Sequence, residues 1–81
     1  MSTFAQRLKQ ARAIRNVGKA RLGLAAGLSR NAVYALERDE GGGNPTLGTI
    51  ESLAKALDVD VAWLATGDGP APKAPGKRRA A

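Results

Sequence analysis

Arg30 and Asn31 stand side by side directly after Ser29, and Tyr34 follows three residues beyond Asn31. A guanidinium presents a rigid fork of donors, and a carboxamide presents a donor and an acceptor side by side. These are the groups that pair bidentately with guanine and adenine edges, each worth about 1–3 kcal/mol of discrimination against the wrong base. A neighbouring tyrosine adds a hydroxyl for a phosphate or an apolar ring for a thymine methyl. Lys19, Ser29 and Arg38 surround the trio with groups suited to phosphate: an ammonium at a helix start, a hydroxyl and a guanidinium. The same residue types also make an ordinary solvated helix face. Their value therefore rests on the elements that hold them to one side of the molecule.

Other chemistries are poorly provided for. The chain has neither Cys nor His, which removes disulfides, thiolate and imidazole metal ligands, and the commonest general base. Gly41-Gly42-Gly43 lacks the spacing and the lysine of a phosphate-cradling loop. No paired inward carboxylates are evident. No catalytic residue, metal or cofactor is expected, no small-molecule substrate is evident, and the chain reads as a non-enzyme.

The positioning elements follow from caps and apolar spacing. Thr3 with Gln6 makes a capping box, and Phe4, Leu8, Ala11 and Ile14 then recur at helical spacing, with Arg7, Lys9 and Arg15 off that stripe. This predicts a first helix from Thr3 to about Asn16. A second helix fits Lys19–Ala26, with Leu22, Ala25 and Ala26 inward and Gly23 retained for close packing. Gly27 suits a sharp turn. Ser29 caps a third helix to Arg38, and Leu28 with Val33 has the spacing of a hydrophobic staple. Val33 and Leu36 then point inward, while Asn31, Tyr34, Ala35 and Arg38 point outward with Arg30 at their edge. Asp39–Asn44 reads as a loop. Thr46 caps a fourth helix with an inward stripe of Leu47, Ile50, Leu53, Ala54 and Leu57. Asp60 caps a short fifth helix ended by Gly67, and Val59 with Leu64 again has staple spacing. Residues 1–69 therefore form one all-α domain. Residues 70–81, rich in Pro, Gly and basic side chains, read as a disordered tail.

Composition agrees with one small domain. The 81 residues are 43% hydrophobic but only 4% aromatic, so the core must be aliphatic. Charge is distributed unevenly. Residues 1–38 carry eight Lys/Arg against Glu37, a net of +7. Residues 39–72 carry Lys55 against six acids, a net of −5, and residues 73–81 add +4 from Lys73, Lys77, Arg78 and Arg79. This polarity points to one anion-facing side. No apolar run reaches membrane-spanning length and the N-terminus lacks a signal-peptide stretch, which places the chain in the cytoplasm with no membrane partner.

Two short helices joined by a glycine turn, Lys19–Ala26 and Ser29–Arg38, have the form of a helix-turn-helix. Through Leu22-Gly23, Gly27-Leu28-Ser29, Val33 and Leu36-Glu37, the chain resembles the lambdoid-phage repressor and Cro-type (XRE-like) helix-turn-helix family, a five-helix bundle. Asn44-Pro45-Thr46-Leu47 and the run from Leu57 through Trp63-Leu64 to Gly67 resemble its fourth and fifth helices. The resemblance implies that Arg12 and Glu37 form a buried salt bridge and that Trp63 belongs to the core. It differs at three places. Lys19 replaces the usual Gln, Gly23 replaces a commoner Ala, and the loop after Arg38 is about two residues longer and carries Asp39 and Glu40 in place of basic residues. Fewer contacts between this loop and a DNA backbone are therefore expected.

The resemblance implies a sequence-specific regulator of bacterial or phage origin, in particular a repressor. It would bind double-stranded DNA as a homodimer, with two reading helices about 34 Å apart on a two-fold operator. An antitoxin that binds both DNA and a toxin is the alternative, although only the short tail from Pro70 is spare for a toxin. A nonspecific nucleic-acid or membrane binder would spread its basic residues over all faces, and the acidic second half argues against it.

Overall fold

A computed structural model of the chain describes residues 3–38 and 45–72. The acidic loop expected at Asp39–Asn44 and the tail residues 73–81 lie outside the described residues. Five helices run in order: α1 Phe4–Arg15, α2 Lys19–Ala26, α3 Arg30–Leu36, α4 Leu47–Leu57 and α5 Val61–Thr66. All five helices contribute to one core of Leu8, Ala11, Leu22, Val33, Leu53, Ala54, Leu57, Trp63 and Leu64. Phe4, Ala26, Leu28, Leu36, Ile50 and Val59 are partly buried against it. Trp63 is core, at 6% exposure. α2 packs on α3 and α4, while α1 packs on α4 and α5.

The helix starts are built as their sequences require. In α1 the Gln6 amide donates to Thr3 Oγ1 and the Thr3 amide donates to Gln6 Oε1, both at 3.1 Å, closing the capping box. Ser29 Oγ accepts from the Ala32 amide at 3.0 Å, Thr46 Oγ1 from Thr49 at 3.2 Å and Asp60 Oδ2 from Trp63 at 3.0 Å. Each side chain satisfies an amide that the first turn leaves without a partner.

Three helix ends share a second device. Asn16, Gly27 and Asp58 adopt left-handed backbone, and the next amide reaches back five residues: Val17 to Arg12, Leu28 to Gly23 and Val59 to Ala54, at 2.7–3.0 Å. That six-to-one bond turns the chain sharply and returns a hydrophobic residue to the core. Val17, Leu28 and Val59 all pack there. At Gly27 the turn (φ +78) leads directly into the cap of α3.

Four sequence expectations are corrected. Arg7 does not lie off the buried side of α1: it is 5% exposed, with Nε donating to Leu64 O and Nη2 to Ala65 O, both at 3.0 Å. The last carbonyls of α5 have no intrahelical amides to accept from, and this guanidinium supplies donors. Ala25 is exposed, because Leu22, Gly23 and Ala26 already occupy the inner side of the short α2. Leu47 is 64% exposed at the first position of α4, on the flank of the stripe set by Leu53, Ala54 and Leu57. α3 ends at Leu36 rather than Arg38, since Glu37 leaves helical geometry at φ −93, ψ 5 and the Arg38 amide makes a tighter bond to Ala35 O at 3.3 Å.

Gly23 has a definite reason. A Cβ there would lie 2.6 Å from Leu28 O and 3.2 Å from Ser29 O, the carbonyls of the turn that leads into α3. The close approach is to the backbone of the turn, not to a crossing side chain. Gly23→Ala is expected to destabilise by about 1–2 kcal/mol in urea unfolding, overpacking outweighing the better helix propensity of Ala. Gly48→Ala in α4, where a Cβ meets only Thr46 Oγ1 at 3.9 Å, should instead stabilise by about 0.5 kcal/mol. Equal effects at the two glycines would refute the steric account.

Candidate nucleic-acid interface

α3 presents two different sides. Val33 is fully buried, while Arg30, Asn31 and Tyr34 are exposed. Tyr34 retains 49% exposure, unusual for a large ring. Asn31, Tyr34, Ala35 and Arg38 line one side of an open groove of about 520 Å³, which Lys9 of α1 and Lys19 of α2 complete, with Glu37 at its wall. The structure therefore brings together Lys19, Asn31, Tyr34 and Arg38. Ser29 and Arg30 are exposed at the start of α3 and lie outside that groove.

The groove is organised around one carboxylate. Glu37 is 3% exposed in its side chain and accepts a two-pronged contact from Arg12: Nε to Oε2 at 2.6 Å and Nη2 to Oε1 at 2.9 Å. The fork is the geometry that makes Arg–carboxylate pairs strong and directional. Arg12 Nη1 also donates to Val17 O at 3.1 Å, so one side chain joins α1, the turn after it and the end of α3. The Arg12 pKa is raised above the ordinary arginine value, chiefly by its hydrogen bonding to Glu37. Lys19 Nζ lies 4.0 Å from Glu37 Oε1 and 4.5 Å from the centre of the Tyr34 ring.

Two basic residues placed off the apolar stripe of α1 bond to other helices. Arg15 donates to Leu57 O at 2.8 Å and Asp58 O at 2.7 Å, satisfying the end of α4. Arg7 does the same for α5. Lys9 was passed over in the sequence yet lines the groove. Its signal was its place three residues before Arg12 on α1, which puts both on one side of the helix.

Among the described residues, no group of His, Asp or Glu side chains is arranged to hold a metal ion, and no helix is long and apolar enough to cross a membrane. The class defined by this fold and surface is a five-helix domain that displays one short helix, seated across another by a glycine turn. Residues 8–64 match the family described as Helix-turn-helix, and the chain belongs to that family. It is 45% identical over 67 residues to the HTH-type transcriptional regulator PrtR of Pseudomonas aeruginosa, covering 83% of this chain but only 25% of that regulator. Among solved structures it is similar to the restriction-modification controller protein C.AhdI of Aeromonas hydrophila (36% identity, TM-score 0.70), covering 75% of this chain and 89% of that one. It is also similar to the P22 c2 repressor in complex with a synthetic operator (28% identity, TM-score 0.71), covering 84% of this chain and all of that one.

Removing either partner of the Arg12–Glu37 pair strands the other, but unequally. Arg12→Leu leaves a buried carboxylate whose remaining basic neighbour is 4.0 Å away, and should cost about 3–5 kcal/mol in equilibrium unfolding. Glu37→Gln leaves the charge on Arg12, whose side chain is 19% exposed and reaches water, so its cost should be smaller. A larger loss for Glu37→Gln would show that the carboxylate is not the group that needs compensation.

Proposed function

We propose that this chain is a sequence-specific, double-stranded-DNA-binding transcriptional regulator that acts as a repressor and binds a two-fold operator as a homodimer. The observation that carries the reading is the division of α3. Val33 is fully buried beneath it, while Arg30, Asn31 and Tyr34 remain exposed on a helix whose end is pinned by Arg12 and Glu37. A reading helix must be both accessible and rigidly seated, because misplaced donors lose base discrimination. The named relatives support this reading: one is a transcriptional regulator, one a controller protein and one a repressor in complex with a synthetic operator.

In this reading Arg30 and Asn31 contact base edges. Tyr34 contacts a thymine methyl or a phosphate at the flank of α3. Lys19, Arg38 and the Ser29 hydroxyl, which can donate outward while its oxygen caps α3, face phosphates. Repression follows from occupying a promoter and excluding the transcription machinery.

Selection of binding sites from a random duplex pool tests the proposal. An enriched inverted repeat with half-sites about one helical turn apart is expected. Asn31→Ala should relax the preference at one base pair by about 1–3 kcal/mol. Arg38→Ala should weaken all sequences alike and reduce the slope of log affinity against log salt by about one. A pool without an enriched motif would overturn the proposal, and an unchanged motif in Asn31→Ala would remove Asn31 from the reading set.

A further inference from the structure

We propose that Lys19 determines sequence specificity as a positioning residue, its ammonium holding the Tyr34 ring in one place at the wall of the groove between α2 and α3. The inference rests on the DNA-reading role of α3 and deepens it.

The geometry forms a relay from the core to the surface. Arg12 fixes the Glu37 carboxylate through two short contacts at 2.6 and 2.9 Å. Glu37 Oε1 attracts the Lys19 ammonium at 4.0 Å, and that ammonium lies 4.5 Å from the centroid of the Tyr34 ring. A cation at this distance from an aromatic face is attracted by the ring's quadrupole. Lys19 is the first residue of α2, whereas Tyr34 lies in the middle of α3. The contact therefore ties together the two helices of the motif at the surface, as the glycine turn ties them from within.

Tyr34 needs such a restraint. The residue is 49% exposed, and among the described residues no hydrogen bond fixes its hydroxyl. A half-exposed ring free to change rotamer must be ordered when DNA arrives, at the expense of affinity and discrimination. A ring already held by a neighbouring cation avoids that loss. Lys19 is itself restrained, since its side chain is 29% exposed and lies 4.0 Å from a carboxylate held by two bonds from Arg12. One ammonium has three donors, so facing the ring and Glu37 leaves it able to meet a phosphate as well. A role limited to phosphate would act equally on every DNA sequence, whereas a role through Tyr34 set against a thymine methyl, the one of its two contacts that the proposal requires, acts at that base pair. That difference makes the proposal testable.

The duplex selected by the wild-type protein is compared with single-base-pair variants, using Lys19→Met, Lys19→Arg, Tyr34→Leu, Tyr34→Phe and the Lys19→Met/Tyr34→Leu double variant. Lys19→Met should lose about three- to fivefold discrimination, the size of an exposed cation–π contact. The loss should fall at the same base pair that Tyr34→Leu affects. The double variant should lose no more discrimination there than Tyr34→Leu alone. Lys19→Arg, which keeps a cation over the ring, should retain the wild-type preference. In the free protein, proton NMR should show the Lys19 ε-methylene shifted upfield by the ring, with the shift kept in Tyr34→Phe and lost in Tyr34→Leu. A uniform loss in Lys19→Met for all duplexes with the base preference intact would overturn the proposal. So would a Lys19→Arg variant that discriminates like Lys19→Met, or a Lys19 ε-methylene without the ring shift. A wild-type pool without any enriched motif would instead overturn the DNA-reading role itself.

Discussion

Much of the structure hangs on the need of one buried carboxylate for donors. Glu37 closes the end of α3 with its side chain almost wholly removed from water. An ionised group in that position is tolerable only if hydrogen bonds replace its hydration. Arg12 supplies two such bonds from α1 and a third, to Val17 O, ties in the turn that launches α2. Since α3 is seven residues long, far too short to be stable alone, its position is imposed from outside. Val33 holds it from beneath and Glu37 holds its end. The surface it displays is therefore as rigid as that seat.

A related constraint explains the arginines of α1. Short helices leave a large share of their carbonyls without amide partners. Arg7 supplies donors to the end of α5, Arg15 to the end of α4, and Arg12 to the carbonyl after α1. The positive charge of the first half of the chain is thus partly structural. Charge counting alone made that half look more anion-facing than it is. The basic groups left to face outward at the groove are Lys9, Lys19 and Arg38. Together with Asn31 and Tyr34 they form a compact patch, which suits contact with one stretch of a regular polyanion better than a broad, unspecific attraction.

Lys19 shows how a departure from the family pattern acquires a structural meaning. A lysine at the start of α2 reads in isolation as a phosphate ligand. Folded, it stands between a fixed carboxylate and an exposed ring. The role proposed for it in recognition rests on that placement and not on the charge alone.

By itself the sequence determined the five helices, their caps, their glycine turn and most of the core. Those features depend on local periodicity and on side chains bonding to backbone within three to five residues, as at Thr3, Ser29, Thr46, Asp60 and Gly27. It also made the exposed face of α3 legible, since Val33 and Asn31-Tyr34 fall on opposite sides of a helix by geometry alone. The Arg12–Glu37 pair became legible only through family resemblance, because nothing local links residues twenty-five apart. Tertiary structure alone decided the fates of Arg7 and Arg15, whose partners lie at helix ends 42 to 58 residues away. It likewise decided that Ala25 and Leu47 face solvent, that α3 ends two residues early, and that Lys9 joins the groove. A side chain's chemistry is written in its residue, but the donors and acceptors it meets are chosen by how the helices pack.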